Sequence, residues 1–314
     1  MVRFMRAGAV QLLIKWRANM KTFRRVALVG AGVILALGAV ATGTVFAQGV
    51  AFITDVKGEA SVGNGKAALM AEVAKGARIS CAKECQIGVM YLISGKEFTL
   101  KGPGDFVVGE AEVAAKIGPP PKVRETQWKV SAQTVNQAAQ TSNASIRMRS
   151  VGINSSSPKR EEKQADERLL YPVETGVASL QPPFRWASNN ARGPFDFELK
   201  TSAAPARTIY KAKSGDTALK LPNSVKLYAD TEYSWAVKYA GAEIGSSTFK
   251  TLSAAAMELA QKRRPADKAA FSDWLMYGLT LREVGATQDA SDVFGKLAKD
   301  RPDLPELARL AQPT

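Results

Sequence analysis

The stretch Gln86-Ile-Gly-Val-Met-Tyr-Leu-Ile-Ser-Gly-Lys-Glu-Phe-Thr-Leu-Lys-Gly-Pro-Gly-Asp-Phe-Val-Val108 decides the fold class. It holds three β-rich runs, broken at Ser94-Gly95 and at Gly102-Pro-Gly104. Glycine there supplies the backbone freedom a tight reversal needs, and proline removes the donor that a continuing strand would use. Helical periodicity is weak, so the runs read as antiparallel strands. The pattern continues towards the N-terminus, with β-rich runs at 51–56, 60–62 and 77–79 separated by Lys57-Gly58, Gly63-Asn-Gly65 and Lys75-Gly76. Residues 48–118 are therefore expected to form a small meandering antiparallel β-domain.

Beyond it, Gly118-Pro-Pro-Pro-Lys122 is a stiff, donor-poor break. Residues 119–168 read as a linker, polar and then charged, with one strand or helix expected around Trp128 to Met148. The charge run near its end alternates in sign, which suits a solvated segment and not a nucleic-acid contact. From Leu169 to Leu252 apolar and polar positions alternate again. Phe184 and Trp186 share a face, as do Phe195, Phe197 and Leu199, and likewise Tyr233, Trp235 and Val237. About six such strands indicate a second β-module, a sandwich over 169–252. Its rings read first as core, with a carbohydrate-stacking surface as the alternative.

After Leu252 the period changes from strand to helix, and Ser253 can cap the first helix. Residues 253–314 are expected to form a helical tail, and the whole chain a mainly β multidomain protein with a C-terminal α-helical hairpin.

Composition narrows the chemistry. The 314 residues include no histidine and two cysteines. A Ser-His-Asp or Cys-His catalytic pair and an imidazole metal ligand are thus excluded. Two cysteines cannot close a four-ligand zinc site or hold an iron–sulfur cluster. The acid pair Glu161-Glu162 falls in the linker, and the acids of the two β-domains are expected at turns or solvent positions. No enzyme, cofactor or metal centre is expected.

The N-terminus carries a targeting composition. Residues 1–47 contain Arg3, Arg6, Lys15, Arg17, Lys21, Arg24 and Arg25 and no acid, so that without them the net charge falls from +14 to +7. An uncharged apolar run, Val26 to Ala47, follows the basic residues and ends in Val45-Phe-Ala47 before Gln48. This is a basic n-region, an apolar h-region and a small-residue cleavage site, with the cut expected between Ala47 and Gln48. Met20 is the expected initiator, because a start there leaves a leader of ordinary length. The same run is 22 residues long, enough to span a bilayer if retained, so residues 26–47 read either as signal peptide or as membrane anchor. Either way the rest of the chain is expected outside the cytoplasm, in the periplasm. In that oxidising space Cys81 and Cys85 read as a disulfide across a tight loop. A redox pair is the alternative, although the spacing is C-x-x-x-C and no thioredoxin-like βαβ pattern surrounds it.

Three resemblances sharpen these expectations. The order Val56-x-Gly58-x-Ala60-x-Val62, then Val73-x-x-Gly76-x-x-Ile79, then Val89-x-x-Leu92-x-x-Gly95-x-x-Phe98-x-Leu100-x-Gly102-Pro103-Gly104-x-Phe106 resembles the periplasmic FecR-type β-domain. Family members sense or bind at the cell envelope, some coupling an outer-membrane receptor to a cytoplasmic sigma factor. This chain departs from the signalling members, having no cytoplasmic regulatory region of useful size before Val26. Pro183-Phe-Arg-Trp186, Leu221-Pro222 and Tyr233-Ser-Trp-Ala-Val237 resemble a fibronectin type III or Ig-like module. Trp274, Gly278, Ala290, Phe294 and Pro302 stand at the offsets of a tetratricopeptide repeat. One repeat lies below the roughly three needed to bury a continuous core, so it must pack on the sandwich, on a second copy or on a partner. It reads as a cap on the neighbouring domain or as a protein-docking hairpin. The function these readings imply is a non-enzymatic cell-envelope binding or scaffold protein contacting protein or cell-wall partners. The alternative is a membrane-anchored FecR-like envelope sensor.

Overall fold

In the computed structural model, which describes residues 49–129, 133–140, 168–189 and 192–312, the chain is mainly β with a few C-terminal helices. The first module opens with β1 (Gly49–Lys57), β2 (Ala60–Val62), β3 (Gly65–Lys66), β4 (Glu72–Ala74) and β5 (Arg78–Cys81). It continues with β6 (Gln86–Tyr91), β7 (Glu97–Lys101), β8 (Gly104–Val108), β9 (Val113–Ile117) and β10 (Lys122–Arg124). Two five-stranded antiparallel sheets result, in the orders β10-β7-β6-β1-β4 and β3-β2-β5-β8-β9. Ile53, Val89 and Leu100 from the first sheet and Ile79 and Phe106 from the second are all fully buried in one core.

The strands β1 and β6 do not alternate. Residues 51–54 and 87–91 are buried without interruption, because the first sheet is covered on both faces. One face meets the second sheet; the other meets the C-terminal helices. The chain past the Pro run stays in this module: β10 pairs with β7, Trp128 is almost wholly buried, and a short helix α1 over residues 133–140 buries Val135 and Ala138. The expected linker at 119–168 thus begins with folded structure.

The second module comprises β11 (Arg168–Tyr171), β12 (Thr175–Val177), β13 (Pro183–Ala187) and β14 (Phe195–Thr201), then β15 (Thr208–Ser214), β16 (Ala218–Lys220), β17 (Glu232–Tyr239) and β18 (Ala242–Thr251). Its sheets run β11-β13-β16 and β12-β18-β17-β14-β15; β12 pairs parallel with β18 and the other pairings are antiparallel. Along β14 and β17 buried and exposed positions alternate, and Leu199 lies opposite Trp235. The rings of Phe184, Trp186, Phe195, Phe197, Trp235 and Phe249 fill the core, with Phe184 edge-on to Phe197, Trp235 and Phe249. They are core, and no stacking surface is formed from them.

The tail holds α2 (Ala254–Arg263), α3 (Phe271–Glu283), α4 (Thr287–Asp300) and α5 (Pro305–Leu310). Ser253 caps α2, its Oγ accepting from the Ala256 N–H at 3.2 Å. Gly285, at φ +88°, turns α3 into α4. The apolar faces of these helices join the core of the first module, not that of the sandwich. No helix among the described residues is long and apolar enough to cross a membrane. The apolar run from Val26 to Ala47, and with it the Ala47/Gln48 junction, lies outside the described residues.

Candidate functional site

The second sheet of the first module presents its outer face as an open cleft of about 1000 Å³. In that sheet Val62 pairs with Ile79 and Ile79 with Phe106, and Ile79 and Phe106 point into the core. Side chains alternate along a strand, so the adjacent residues point outwards. They too are in register: Lys66 lies opposite Ser61, Ser61 opposite Ser80, Ser80 opposite Asp105, and Asp105 opposite Ile117. One row of outward side chains therefore crosses all five strands. Within it the Ser80 hydroxyl donates to Asp105 Oδ1 at 2.6 Å, and Glu59 and Pro103 form parts of the wall.

The disulfide between Cys81 and Cys85 shapes one end of this cleft. Both cysteines are buried, and the loop they close packs against two neighbouring turns. Ala82 N–H donates to Glu59 O at 3.0 Å, and Gly102 N–H to Cys85 O at 2.9 Å. A side chain at Gly102 would collide with the carbonyl of Ala82, 1.8 Å from its Cβ position, so only glycine lets these turns meet. Chemically the cleft offers hydroxyls, carboxylates and an ammonium group for hydrogen bonding. No group of three or more metal-ligating side chains occurs among the described residues.

The tetratricopeptide-like residues serve a different purpose. Ala290 and Phe294 are completely buried, and Gly278 lies against the Phe294 ring. Trp274 is half-buried and edge-on to Tyr277 at 5.9 Å, while Pro302 is exposed just beyond α4. The hairpin they build is anchored to the first module by a polar knot. Buried Glu97 accepts from Thr54 Oγ1 at 2.7 Å, Ser272 Oγ at 3.0 Å and Arg124 Nη2 at 2.6 Å. Arg124 also donates to Asp273, which accepts from Trp128 Nε1 at 2.8 Å. Hydrogen bonding to Asp273, and then to Glu97, raises the pKa of the Arg124 guanidinium further. Arg301 makes a second anchor, donating to the Asp55 carboxylate and to Val56 O, with its guanidinium over the Phe271 ring.

The same hairpin reaches the sandwich. Gly176 N–H donates to Gly285 O at 3.0 Å, and the Thr175 and Thr287 hydroxyls share a hydrogen bond. Tyr171 hydrogen-bonds the Asp289 carboxylate, and burial raises the pKa of both groups. One helical pair is thus fastened to both β-modules. None of the contacts from the hairpin to the β-modules was visible as a pattern, since they join residues more than a hundred positions apart; the one local hint was the unbroken apolar runs at β1 and β6, which signal strands covered on both faces.

Comparison with protein-family models and with curated proteins finds no match to this chain.

Proposed function

We propose that the chain is a non-enzymatic binding or scaffold protein of the cell envelope, exported to the periplasm, whose open cleft faces a protein or cell-wall partner. The observation that carries this reading is the use of the helical hairpin. Its apolar side is consumed on the first module and its other end on the sandwich, so the two β-modules form one body with the cleft left open. On this reading the first module is of the FecR type. The second is fibronectin type III or Ig-like, supported by the parallel pairing of β12 with β18 and by a tyrosine corner in which Tyr233 Oη accepts from the Tyr228 N–H at 2.8 Å. The disulfide and the leader-like N-terminus both favour an oxidising compartment.

A second reading, a membrane-anchored FecR-like sensor, rests on the length of the apolar run from Val26 to Ala47. Fractionation of cells expressing a C-terminally tagged chain, followed by intact mass, separates the two. A soluble periplasmic species beginning at Gln48 supports the binding-protein reading. A membrane-bound species retaining the run supports the sensor, and a cytoplasmic species of either length overturns both.

A further inference from the structure

The chemistry of the cleft on the β3-β2-β5-β8-β9 sheet narrows the ligand. We propose that it binds a neutral, polyhydroxylated chain, an oligosaccharide lying across the strands along the row Lys66, Ser61, Ser80, Asp105 and Ile117. The proposal names the ligand class of the binding-protein reading and rests on it.

The row runs perpendicular to β2, β5 and β8, each of which is paired on both sides. Their backbone groups are engaged in the ladders, so a ligand in the cleft cannot add itself as a further strand and must be read by side chains. That disfavours an extended peptide, whose main recognition on a sheet is through its own backbone.

Charge comes next. Asp105, Glu59 and Ser80, whose one hydroxyl proton goes to Asp105, offer acceptors, Lys66 offers donors, and Ser61 offers both. A polyanion lying along the row meets the Asp105 carboxylate, with that of Glu59 on the wall, and a polycation meets the Lys66 ammonium group. A chain of hydroxyls carries a donor and an acceptor at every position and satisfies all of them without a like-charge contact. The Ser80–Asp105 hydrogen bond already orients one hydroxyl and one carboxylate towards such a partner.

Length and surface agree. Four inter-strand spacings at ~4.8 Å give a row of ~19 Å, the size of an oligomer and not of a single sugar. At its far end Ile117 is 65% exposed on the edge strand β9, with Pro103 also lining the cleft. An isoleucine that far out contributes nothing to the core, and its apolar surface matches the C–H face of a pyranose ring.

The test is saturation-transfer NMR and calorimetry on the purified processed protein. The probes are tetra-N-acetylchitotetraose and maltotetraose as neutral chains, tetragalacturonate as the anion, chitosan tetramer as the cation and an uncharged Ser-Gly tetrapeptide. The expected result is saturable binding of at least one neutral tetrasaccharide in the micromolar to millimolar range. Asp105→Ala should weaken it about tenfold by removing a charged hydrogen-bond acceptor, and Ile117→Lys should weaken it severalfold. Lys211→Ala, on the sandwich, should leave it unchanged. Ser80→Ala, a smaller change on the same row, replaces Asp105→Ala if that variant fails to give a cooperative melt. Binding of no neutral chain at millimolar concentration, tighter binding of the charged tetramers or the peptide, or neutral binding untouched by every cleft variant overturns the proposal. Intact mass and fractionation keep the two levels apart. A periplasmic protein that binds no saccharide refutes the ligand class alone, while a cytoplasmic protein that does bind refutes the envelope reading alone.

Discussion

Gly278 on α3 lies directly beneath the ring of Phe294 on α4, so close that a Cβ on the glycine would sit 2.6 Å from the ring's Cε1. Both are fully buried, and Arg282 covers Phe294 with its guanidinium 5.2 Å from the ring centroid. The helices of this hairpin can approach only because one of them has no side chain at the crossing. Replacing Gly278 by alanine gains up to about 1 kcal/mol of helix propensity but overpacks a filled seam at a cost of about 1–3 kcal/mol. Since Phe294 is enclosed and cannot withdraw, Gly278→Ala is expected to lower stability by about 1–2 kcal/mol. Urea unfolding at unchanged m-value checks this, and an equal or higher midpoint would show that the ring can yield.

The knot around Glu97 should be the more sensitive join. Among the described residues Arg124 is the one charged hydrogen-bond donor to that carboxylate, the others being the hydroxyls of Thr54 and Ser272. The Arg124 side chain is itself 41% exposed, so the loss on Arg124→Ala should fall short of that for a fully buried pair, at about 1–3 kcal/mol. Adding Glu97→Gln should recover part of it, because the charge left behind is then removed. Hydrogen exchange should locate the damage in α3 and in β7; a change spread evenly over the sandwich would contradict this.

Acidity provides a second lever, at the junction with the sandwich. Burial raises the pKa of the Asp289 carboxyl, the Tyr171 hydroxyl opposes this by hydrogen bonding, Asp292 adds to the rise, and the Ala178 backbone and Arg185 oppose it. A carboxyl with a raised folded-state pKa binds its proton more readily folded than unfolded. Its contribution therefore declines as pH rises from the ordinary aspartate value of about 4 through the raised value, and is level above. Asp289→Asn should lose this dependence and match or exceed the parent at neutral pH. Thermal melts of both proteins from pH 4 to 8 test the sign: the parent should fall relative to the variant as pH rises.

The disulfide spans only four positions of sequence. Closing so short a loop removes little freedom from the unfolded chain, so replacing both Cys81 and Cys85 by serine is expected to cost about 2 kcal/mol. Denaturation with and without reductant measures it. Because the loop packs on the Glu59 and Gly102 turns, the same variant should also loosen the cleft, seen as faster amide exchange at Ala82 and Gly102.

Legibility varied with the range of the forces involved. Alternation revealed β14 and β17 because each has one wet face and one dry one, and the helix offsets revealed Gly278 against Phe294 because both lie on a local hairpin. The cleft has no such local signature. Ser61, Ser80 and Asp105 are unremarkable polar residues in sequence, and only the cross-strand register brings them into one row.

By itself the amino-acid sequence determined the β-rich character of two regions, the helical tail and the absence of histidine chemistry, since strand period, helix period and side-chain type are local or compositional properties. Tertiary structure alone decided that the tail packs on the first module and bridges to the second. It also made Trp128, Val135 and Ala138 core residues of that module. Those outcomes depend on which apolar surfaces remain uncovered once each sheet has formed. That is a property of whole faces in three dimensions, and the linear order of residues does not contain it in any readable window.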